Sequence, residues 1–276
     1  MPSDSDRVHP TAIIDPQARL AHDVSVGPFA IVEGPVRLGP GSVVRARAHL
    51  VGPLDAGQNN EFGINTVIGD KAQHLLYADE PGRVEIGDGN TFREGVTIHR
   101  STIAGGATRI GNGNYLMGNS HVAHDCHVGN ECIFANSALL GGHVVIGDRA
   151  FLSGNVGVQQ FVRIGRLAMV SAGASAMADV PPFAITEGRN TIIGVNLVGL
   201  RRAGLSPVQI NAVRRAYRLL LHSGLIPKLA AARLDKELGH IDVVAELVAF
   251  IRESKKGVCF TRARRARDRG VVGEAA

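Results

Sequence analysis

Apolar residues recur at every sixth position of this 276-residue chain, and the phase holds from about Val8 to Val180. A period of six matches neither the turn of a helix nor the two-residue alternation of a strand. It is typical of the hexapeptide repeats of a parallel β-helix, in which three hexads close one triangular coil. Residues three hexads apart in the sequence are therefore predicted to stack one strand spacing apart, ~4.8 Å. The longest uninterrupted run of markers is Ile110, Leu116, Val122, Val128, Phe134, Leu140, Ile146, Leu152, Val158, Ile164 and Val170.

The repeats predict a first domain over residues 1–188. Two interruptions, at residues 71–85 and 104–109, leave the count of six intact when it resumes. Insertions of this kind project from a corner of a solenoid and often form its binding face. Pro181-Pro182 ends the repeats, and a short irregular segment is expected from there through Gly204.

The period then becomes helical, which predicts a C-terminal helical domain over residues 189–260. Ser206-Pro207 is an N-cap followed by a proline at the first helical position, and Gly224 ends that helix. Two further amphipathic helices are predicted over residues 228–238 and 243–251. These helices are expected to cover the C-terminal end of the solenoid, because the open end of a repeat stack needs a cap.

The formal net charge of +5 favours an anionic partner. Basic motifs rich in aromatic residues are missing, so no nucleic acid is expected. No apolar run approaches the ~20 residues of a membrane span, so no stable membrane insertion is expected. The first seven residues are short and polar, unlike a signal peptide, which predicts a cytoplasmic protein. The basic tail, residues 261–276, is predicted to be disordered, and its partner stays open.

Two of the three cysteines, Cys126 and Cys132, fall where the repeat otherwise places small inward residues. They are predicted to pack in the core as small hydrophobic groups. A disulfide or a metal site is not expected from this phasing in a cytoplasmic chain.

A polar group interrupts the plain repeat around His124. His124 lies two positions after the marker Val122 and is predicted to point out of the core, beside Asp125. Gly142 and Gln160 follow at intervals of three hexads, so they are predicted to form a column with His124. His121 and His143 flank this column in the sequence.

These groups suit acyl transfer. A neutral imidazole can remove a hydroxyl proton near pH 7, and a neighbouring carboxylate can orient it. A glycine N–H lets a developing oxyanion approach closely. No serine or cysteine is placed as a nucleophile beside His124, which favours direct attack by the hydroxyl of the acceptor.

Several stretches outside the dyad are also distinctive: residues 8–13, 83–88, 96–100, 122–126, 142–144, 179–182, 194–196 and 199–202. Through them, from Val8 to about Phe260, the chain resembles the UDP-N-acetylglucosamine O-acyltransferase family of lipid A synthesis. An N-acyltransferase of the same pathway is similar, but it typically has Asn after the histidine and carries an N-terminal uridine-binding domain.

The resemblance implies a left-handed parallel β-helix, a homotrimer with sites between subunits, and an acyl donor on acyl carrier protein. His124 resembles the general base of the family, Asp125 its orienting partner, and Gly142 the oxyanion donor. No cofactor and no metal are expected. In the family, a residue shortly after a Met-Val pair sets the acyl length. Here the pair is Met169-Val170, and among the residues that follow it Ala172 is the best match. Residues that match positions contacting the sugar nucleotide or the acyl donor are His74, Leu76, His99, His121, His143, Gln160, Asn196, Arg201 and Arg202.

Four positions depart from the pattern of the family. His74 and Leu76 stand where the family typically has Asp and Lys at the glucosamine. Gln159 replaces a usual His, and Val198 replaces a usual Glu. The reaction type is therefore better determined than the acceptor, which is UDP-N-acetylglucosamine or a related UDP-amino sugar. The acyl length and the choice between O- and N-acylation stay open.

Three alternatives use the same fold. A γ-type carbonic anhydrase needs three histidines around zinc, and the spacing of His121, His124 and His143 differs from the pattern of that family. A non-catalytic scaffold and a transferase that uses acetyl-CoA are the other two. The joint presence of His124, Asp125 and Gly142 argues against the scaffold.

Overall fold

A computed structural model describes residues 7–75 and 82–259, which form 27 short strands and four helices. The early strands are β1 (Ile13–Ile14), β2 (Arg19–Leu20), β3 (Ser25–Val26), β4 (Ile31–Glu33), β5 (Val36–Leu38), β6 (Val43–Val44), β7 (His49–Val51), β8 (Leu54–Ala56), β9 (Glu61–Phe62), β10 (Val67–Asp70), β11 (Arg83–Ile86), β12 (Thr91–Phe92), β13 (Thr97–His99) and β14 (Ala107–Ile110). The later strands are β15 (Tyr115–Leu116), β16 (His121–Val122), β17 (His127–Val128), β18 (Ile133–Phe134), β19 (Leu139–Leu140), β20 (Val145–Ile146), β21 (Phe151–Leu152), β22 (Gly157–Val158), β23 (Arg163–Ile164), β24 (Met169–Val170), β25 (Ser175–Ala176), β26 (Ala184–Glu187) and β27 (Thr191–Val195). The helices are α1 (Leu197–Arg202), α2 (Pro207–His222), α3 (Pro227–Leu238) and α4 (Asp242–Arg252).

Every third strand stacks in parallel, so the chain winds into three flat faces. Face 1 runs from β1 to β25 in nine strands, face 2 from β2 to β23 in eight, and face 3 from β3 to β27 in ten. The chain turns from face 1 to face 2 at the first corner, from face 2 to face 3 at the second, and from face 3 to face 1 at the third. The predicted left-handed parallel β-helix with C-terminal helices is confirmed.

The register follows the six-residue count. Ile13 pairs with Ile31, three hexads on, as one triangular coil requires. Across the two loops the spacing lengthens while staying a whole number of hexads. Val67 pairs with Thr97, five hexads on, and Thr97 pairs with His121, four hexads on. The loops therefore add whole hexads and leave the inward phase unchanged.

The loops differ from their predicted bounds. The first was expected at residues 71–85, but β11 already begins at Arg83. The second was expected at residues 104–109, but the segment between β13 and β14 is residues 100–106. Both extend the first corner, because β10 and β13 belong to face 1 and β11 and β14 to face 2.

The marker residues fill the interior of the solenoid. Val32, Leu50 and Ile98 are fully buried, and such burial contributes about 1.5–3 kcal/mol per large aliphatic side chain. Cys126 and Cys132 are also fully buried, as predicted, and both thiols are free. Burial raises the pKa of both thiols to about 12, so they stay protonated and inert.

Asparagine side chains form a buried ladder along the second corner. The Asn60 Oδ1 accepts hydrogen bonds from the backbone N–H and the Nδ2 of Asn90, at 2.9 and 3.0 Å. The Asn90 Oδ1 accepts both equivalent bonds from Asn114, at 2.9 Å each. The Asn114 Oδ1 accepts the N–H of Cys132 at 2.8 Å. Each amide thus satisfies backbone groups that the corner would otherwise bury unpaired.

The segment after the repeats is more regular than predicted. Residues expected to be irregular form an antiparallel hairpin of β26 and β27, which adds two strands to face 3. The helix α1 follows, and the Asn196 Oδ1 caps it by accepting the N–H of Gly199 at 2.9 Å. The domain boundary expected after residue 188 therefore falls inside this hairpin.

The remaining helices lie close to their predicted positions. Ser206 and Gln209 form a capping box at the start of α2, and Gly224 follows its end with φ +76°. The Tyr217 hydroxyl donates to the carbonyl of Pro182 at 2.5 Å, which ties α2 to the end of the solenoid. Among the described residues, no helix has the length and apolar character needed to cross a membrane.

Candidate active site

Histidine and aspartate meet at the first corner, in the turn between β16 and β17. The His124 Nδ1 lies 2.7 Å from the Asp125 Oδ2. Both side chains are nearly covered, with His124 6% exposed and Asp125 9%. His124 lines an open groove, so it faces outward as expected, and the rings of neighbouring histidines cover most of it. A buried, hydrogen-bonded carboxylate fixes the imidazole tautomer that carries its proton on Nδ1.

The Asp125 carboxylate has further donors on the second loop. Ser101 Oγ donates to Oδ1, and Thr102 donates to Oδ2 through its Oγ1 at 2.7 Å and its N–H at 3.2 Å. Burial acts to raise the pKa of Asp125, but hydrogen bonds from Ser101, Thr102 and His124 together lower it to about 2. Asp125 is consequently an anion across the neutral range.

Two more imidazoles contact His124. The rings of His74 and His143 meet it edge to face, with centroids 5.4 and 5.2 Å away. Behind them, His99 and His121 form a second edge-to-face pair at 5.1 Å. Such contacts bring weakly basic rings together without requiring them to be charged.

Burial favours the neutral form of the surrounding histidines. It lowers the pKa of His121 to about 4, and the nearby His99 and His124 lower it further. Burial also lowers the pKa values of His99 and His143, against the attraction of Asp70 and Asp125 respectively. His99, His121 and His143 are thus neutral hydrogen-bonding rings near pH 7.

Gly142 leaves the space that the His124 ring occupies. A Cβ at position 142 would lie 2.5 Å from Cε1 and 2.6 Å from Nε2 of that ring. The N–H of His143 donates to the carbonyl of His124 at 3.0 Å, so the turns of two successive coils stack at the first corner. Among the described residues, the N–H of Gly142 has no hydrogen-bond partner, so it can donate to a ligand oxygen.

An open groove of about 610 Å³ runs from this corner across face 1. Leu139 and Gly157 extend its floor beyond His121, because β16, β19 and β22 are neighbours on that face. The side chains at its polar end are Gln73, His74, His121, His124, Gln159 and Gln160.

The structure brings most of the predicted site residues together. His74, His121, His124, Gly142 and Gln160 line the groove. Asp125, His143 and His99 lie directly behind them. Leu76 lies outside the described residues.

Four predicted residues lie elsewhere in the single chain. Asn196 uses its side chain to cap α1 and to donate to the carbonyl of Leu167 at 2.9 Å. Arg201 and Arg202 are exposed at the end of α1. Ala172 is exposed at the third corner, beside the far edge of face 1. None of the four lines the groove.

Sequence reasoning missed Ser101 and Thr102, and it missed Phe161, whose ring stacks on His143 at 4.6 Å. A signal for Ser101 was available. The second loop lengthens the register to four hexads, and Ser101 lies four hexads before Asp125. Phe161 likewise lies three hexads after His143, one coil further along the same corner.

Ligand atoms of His124, Asp125 and His143 lie within 4.8 Å of one another, a spacing that a metal ion could use. The carboxylate, however, already accepts hydrogen bonds at both oxygens, from Ser101, Thr102 and His124. A metal would have to displace the His124 bond, so the donor set fits a histidine–aspartate dyad better.

Comparisons with known proteins agree with this geometry. The family model described as Udp N-acetylglucosamine O-acyltransferase, Domain 2, matches residues 179–259, and the bacterial transferase hexapeptide model matches residues 107–142. The chain is 42% identical to the acyl-[acyl-carrier-protein]–UDP-N-acetylglucosamine O-acyltransferase of Myxococcus xanthus, covering 91% of this chain and 98% of that one. The equivalent enzyme of an Anaeromyxobacter strain is 43% identical with the same coverage.

Solved structures give the same result. A UDP-N-acetylglucosamine acyltransferase from Bacteroides fragilis superposes with a TM-score of 0.87 at 37% identity, covering 91% of this chain and 98% of that one. Its counterpart from Acinetobacter baumannii gives 0.89 at 37% identity, with coverage of 92% and 99%. The fold and the dyad thus define a hexapeptide-repeat acyltransferase. Within that class, the chain belongs to the UDP-N-acetylglucosamine O-acyltransferase family. The comparisons do not support the carbonic anhydrase, scaffold or acetyl-CoA alternatives.

Proposed function

We propose that the protein transfers a (3-hydroxy)acyl chain from acyl carrier protein to the 3-hydroxyl of UDP-N-acetylglucosamine or a related UDP-amino sugar. The observation that carries the proposal is the His124–Asp125 dyad, whose ring abuts Gly142 in an open groove. The curated relatives carry this activity in their names. The net charge of +5 suits an acidic carrier protein, and we place the reaction in the cytoplasm.

The reaction follows from these groups. The His124 Nε2 removes the proton of the acceptor hydroxyl, and the oxygen attacks the thioester carbonyl. The N–H of Gly142 stabilises the oxyanion of the tetrahedral intermediate. The intermediate collapses, the C–S bond breaks, and the imidazolium returns its proton to the departing thiolate. Asp125 stays ionised throughout and stabilises the imidazolium.

A product assay tests the proposal. The purified protein is incubated with several UDP-sugars and with acyl carrier proteins of graded chain length, and the products are identified by mass. We expect an O-acylated UDP-amino sugar that forms in the wild type and falls sharply in His124→Ala. Acyl transfer from acetyl-CoA alone, or stoichiometric zinc with no acyl transfer, would overturn the proposal.

We also propose that the active unit is a homotrimer, with each site shared between neighbours. The groove is open, and Asn196, Arg201 and Arg202 lie off it in the single chain although the resemblance assigns them to the substrates. A neighbouring copy could supply them. Co-expressed His124→Ala and Arg202→Ala chains should then regain activity, because mixed trimers contain some sites with both wild-type residues.

The matched control co-expresses His124→Ala with Gly142→Ala, two changes on the same side of one site, which should not complement. Equal recovery in both mixtures, or a stable and active monomer by light scattering, would refute the shared site.

His74 is proposed to influence the choice of acceptor. It lies in the groove against His124, where the resembling family has an acid. The double change His74→Asp with Leu76→Lys restores the charges of the family and should improve use of UDP-N-acetylglucosamine. If the wild type already uses that sugar efficiently and the double variant is worse, the altered-acceptor idea is wrong.

Ala172 is proposed to limit the length of the acyl chain. The apolar part of the groove runs along face 1 to Ser175, which follows Ala172 on the same coil. Each excluded methylene corresponds to roughly 0.8 kcal/mol of burial. Ala172→Met should therefore shift preference to shorter chains, and Ala172→Gly should keep or lengthen it. Unchanged selectivity in an intact Ala172→Met protein would place the limit elsewhere.

A further inference from the structure

Two residues of the second loop, Ser101 and Thr102, donate hydrogen bonds to the aspartate of the dyad. Ser101 is fully buried, and its hydroxyl donates to the Asp125 Oδ1. The same Oγ accepts the N–H of Ile103 at 3.0 Å. The carbonyl of Ile103 is 3.5 Å away from this hydroxyl, so the much shorter contact with the carboxylate takes its hydrogen.

Thr102 completes the cradle from the other side. Its Oγ1 and its N–H both donate to the Asp125 Oδ2, the oxygen that also accepts from His124. The backbone of Asp125 is fixed as well. It adopts the left-handed conformation with φ +60°, and its N–H donates to the buried Thr108 Oγ1 at 2.8 Å. The plane of the carboxylate is thus held by donors at both oxygens.

We propose that Ser101 and Thr102 are positioning residues, which hold the Asp125 carboxylate in line with His124 so that the imidazole keeps its Nε2 for the acceptor hydroxyl. Neither hydroxyl lines the groove, so both act through Asp125 and not on the substrate. The inference rests on the proposed acyl transfer and adds residues to its mechanism.

Loss of one donor leaves the carboxylate free to turn. Without the bond from Ser101 or Thr102, Asp125 moves out of line and its hydrogen bond to the His124 Nδ1 weakens. The imidazole then loses the contact that fixes its tautomer.

The experiment measures kcat and KM in Ser101→Ala and Thr102→Val. We expect kcat to fall roughly tenfold in each, as for loss of one orienting hydrogen bond. KM for both substrates should hardly change, because the groove is intact. A loss that falls on kcat and spares KM is a result that a merely structural role would not produce.

Matched controls separate position from burial. Ser120→Ala and Thr66→Val remove buried hydroxyls, which donate to the carbonyls of Met117 and Gly63 at the third corner. Both should keep wild-type kcat and KM. Thr102→Ser retains the donor and should recover most of the activity lost in Thr102→Val.

A spectroscopic measurement makes the result independent of turnover. The ¹⁵N shifts of His124 report which ring nitrogen carries the proton, even if no acceptor is turned over. We expect mixed tautomers in Ser101→Ala and Thr102→Val. A wild-type tautomer and a wild-type kcat in both folded variants would overturn the inference. If Ser101→Ala fails to fold, Ser101→Cys, which keeps the size with a weaker donor, takes its place.

Discussion

The first and second corners of this solenoid use polar side chains in opposite ways. At the second corner, the side-chain amides of Asn60, Asn90 and Asn114 hydrogen-bond to one another and to the backbone. At the first corner, the imidazoles of His74 and His124 face each other and an open groove. The Nδ1 of His99 is buried there without a partner among the described residues. Polarity alone therefore does not mark a site, whereas polar side chains that face an open groove do.

The two corners also differ in the lengths of their turns. The second corner keeps turns of constant length at 57–60, 87–90, 111–114 and 129–132. The first corner takes up both insertions, and the second of these carries the donors to Asp125. A ladder depends on strict repetition, and a catalytic cluster depends on breaking it. The predictions below test that division, from the largest expected effect to the smallest.

The largest effect is expected for His124→Ala. Loss of the general base should lower kcat by ~10²–10⁴-fold while leaving the fold intact. Asp125→Asn should cost less, because it orients the ring and does not transfer the proton. Rates with a native circular dichroism spectrum decide the matter, and near-normal turnover would remove His124 from this role.

Gly142→Ala should be the next most harmful change. The new Cβ would lie 2.5 Å from the His124 ring and would push it out of line. We expect kcat to fall by roughly 10–100-fold, since small misplacements of a catalytic group are costly. Gly154→Ala is the matched control, because its Cβ would meet its nearest neighbour, the Asn136 carbonyl oxygen, at 3.5 Å. Equal losses in both would show that the glycine effect is not local to the dyad.

At the second corner, Asn90→Ala should affect stability and not chemistry. It removes the acceptor for two bonds from Asn114 and leaves buried donors unpaired. We expect the free energy of unfolding to fall by about 1–3 kcal/mol, with kcat of the folded protein unchanged. Urea unfolding alongside rate measurements tests this, and a large loss of kcat without a loss of stability would erase the contrast between the corners.

The smallest effect is a dependence of stability on pH at the first corner. Burial lowers the pKa of His121 from 6.5 to about 4 in the folded protein. The unfolded chain then binds the proton first as the pH falls, so stability is full above 6.5 and is lost between 6.5 and about 4. The expected loss at pH 5 is about 2 kcal/mol. His121→Gln should flatten the profile, and a change at the exposed His127 should not; identical profiles for all three would contradict the assignment.

The sequence by itself determined the solenoid, because a period of six constrains every inward residue and fixes the stacking register. It placed His124, Gly142 and Gln160 in one column, since that prediction needs only counting. It also placed α2, whose capping signals at Ser206 are local. These features depend on short-range patterns repeated many times.

Only the tertiary structure decided the rest. The six-residue period predicts the coil on which Asp125 lies. It does not predict that the hydroxyls of Ser101 and Thr102 hold the Asp125 carboxylate, because side-chain hydrogen bonds depend on loop geometry. The resemblance to the family assigns Asn196 to substrate contact, whereas in the single chain its side chain caps a helix. The burial of His124 likewise comes from rings on other coils. Contacts between coils set the environment of the dyad, and a linear pattern specifies which residues are neighbours but not how their polar atoms pair.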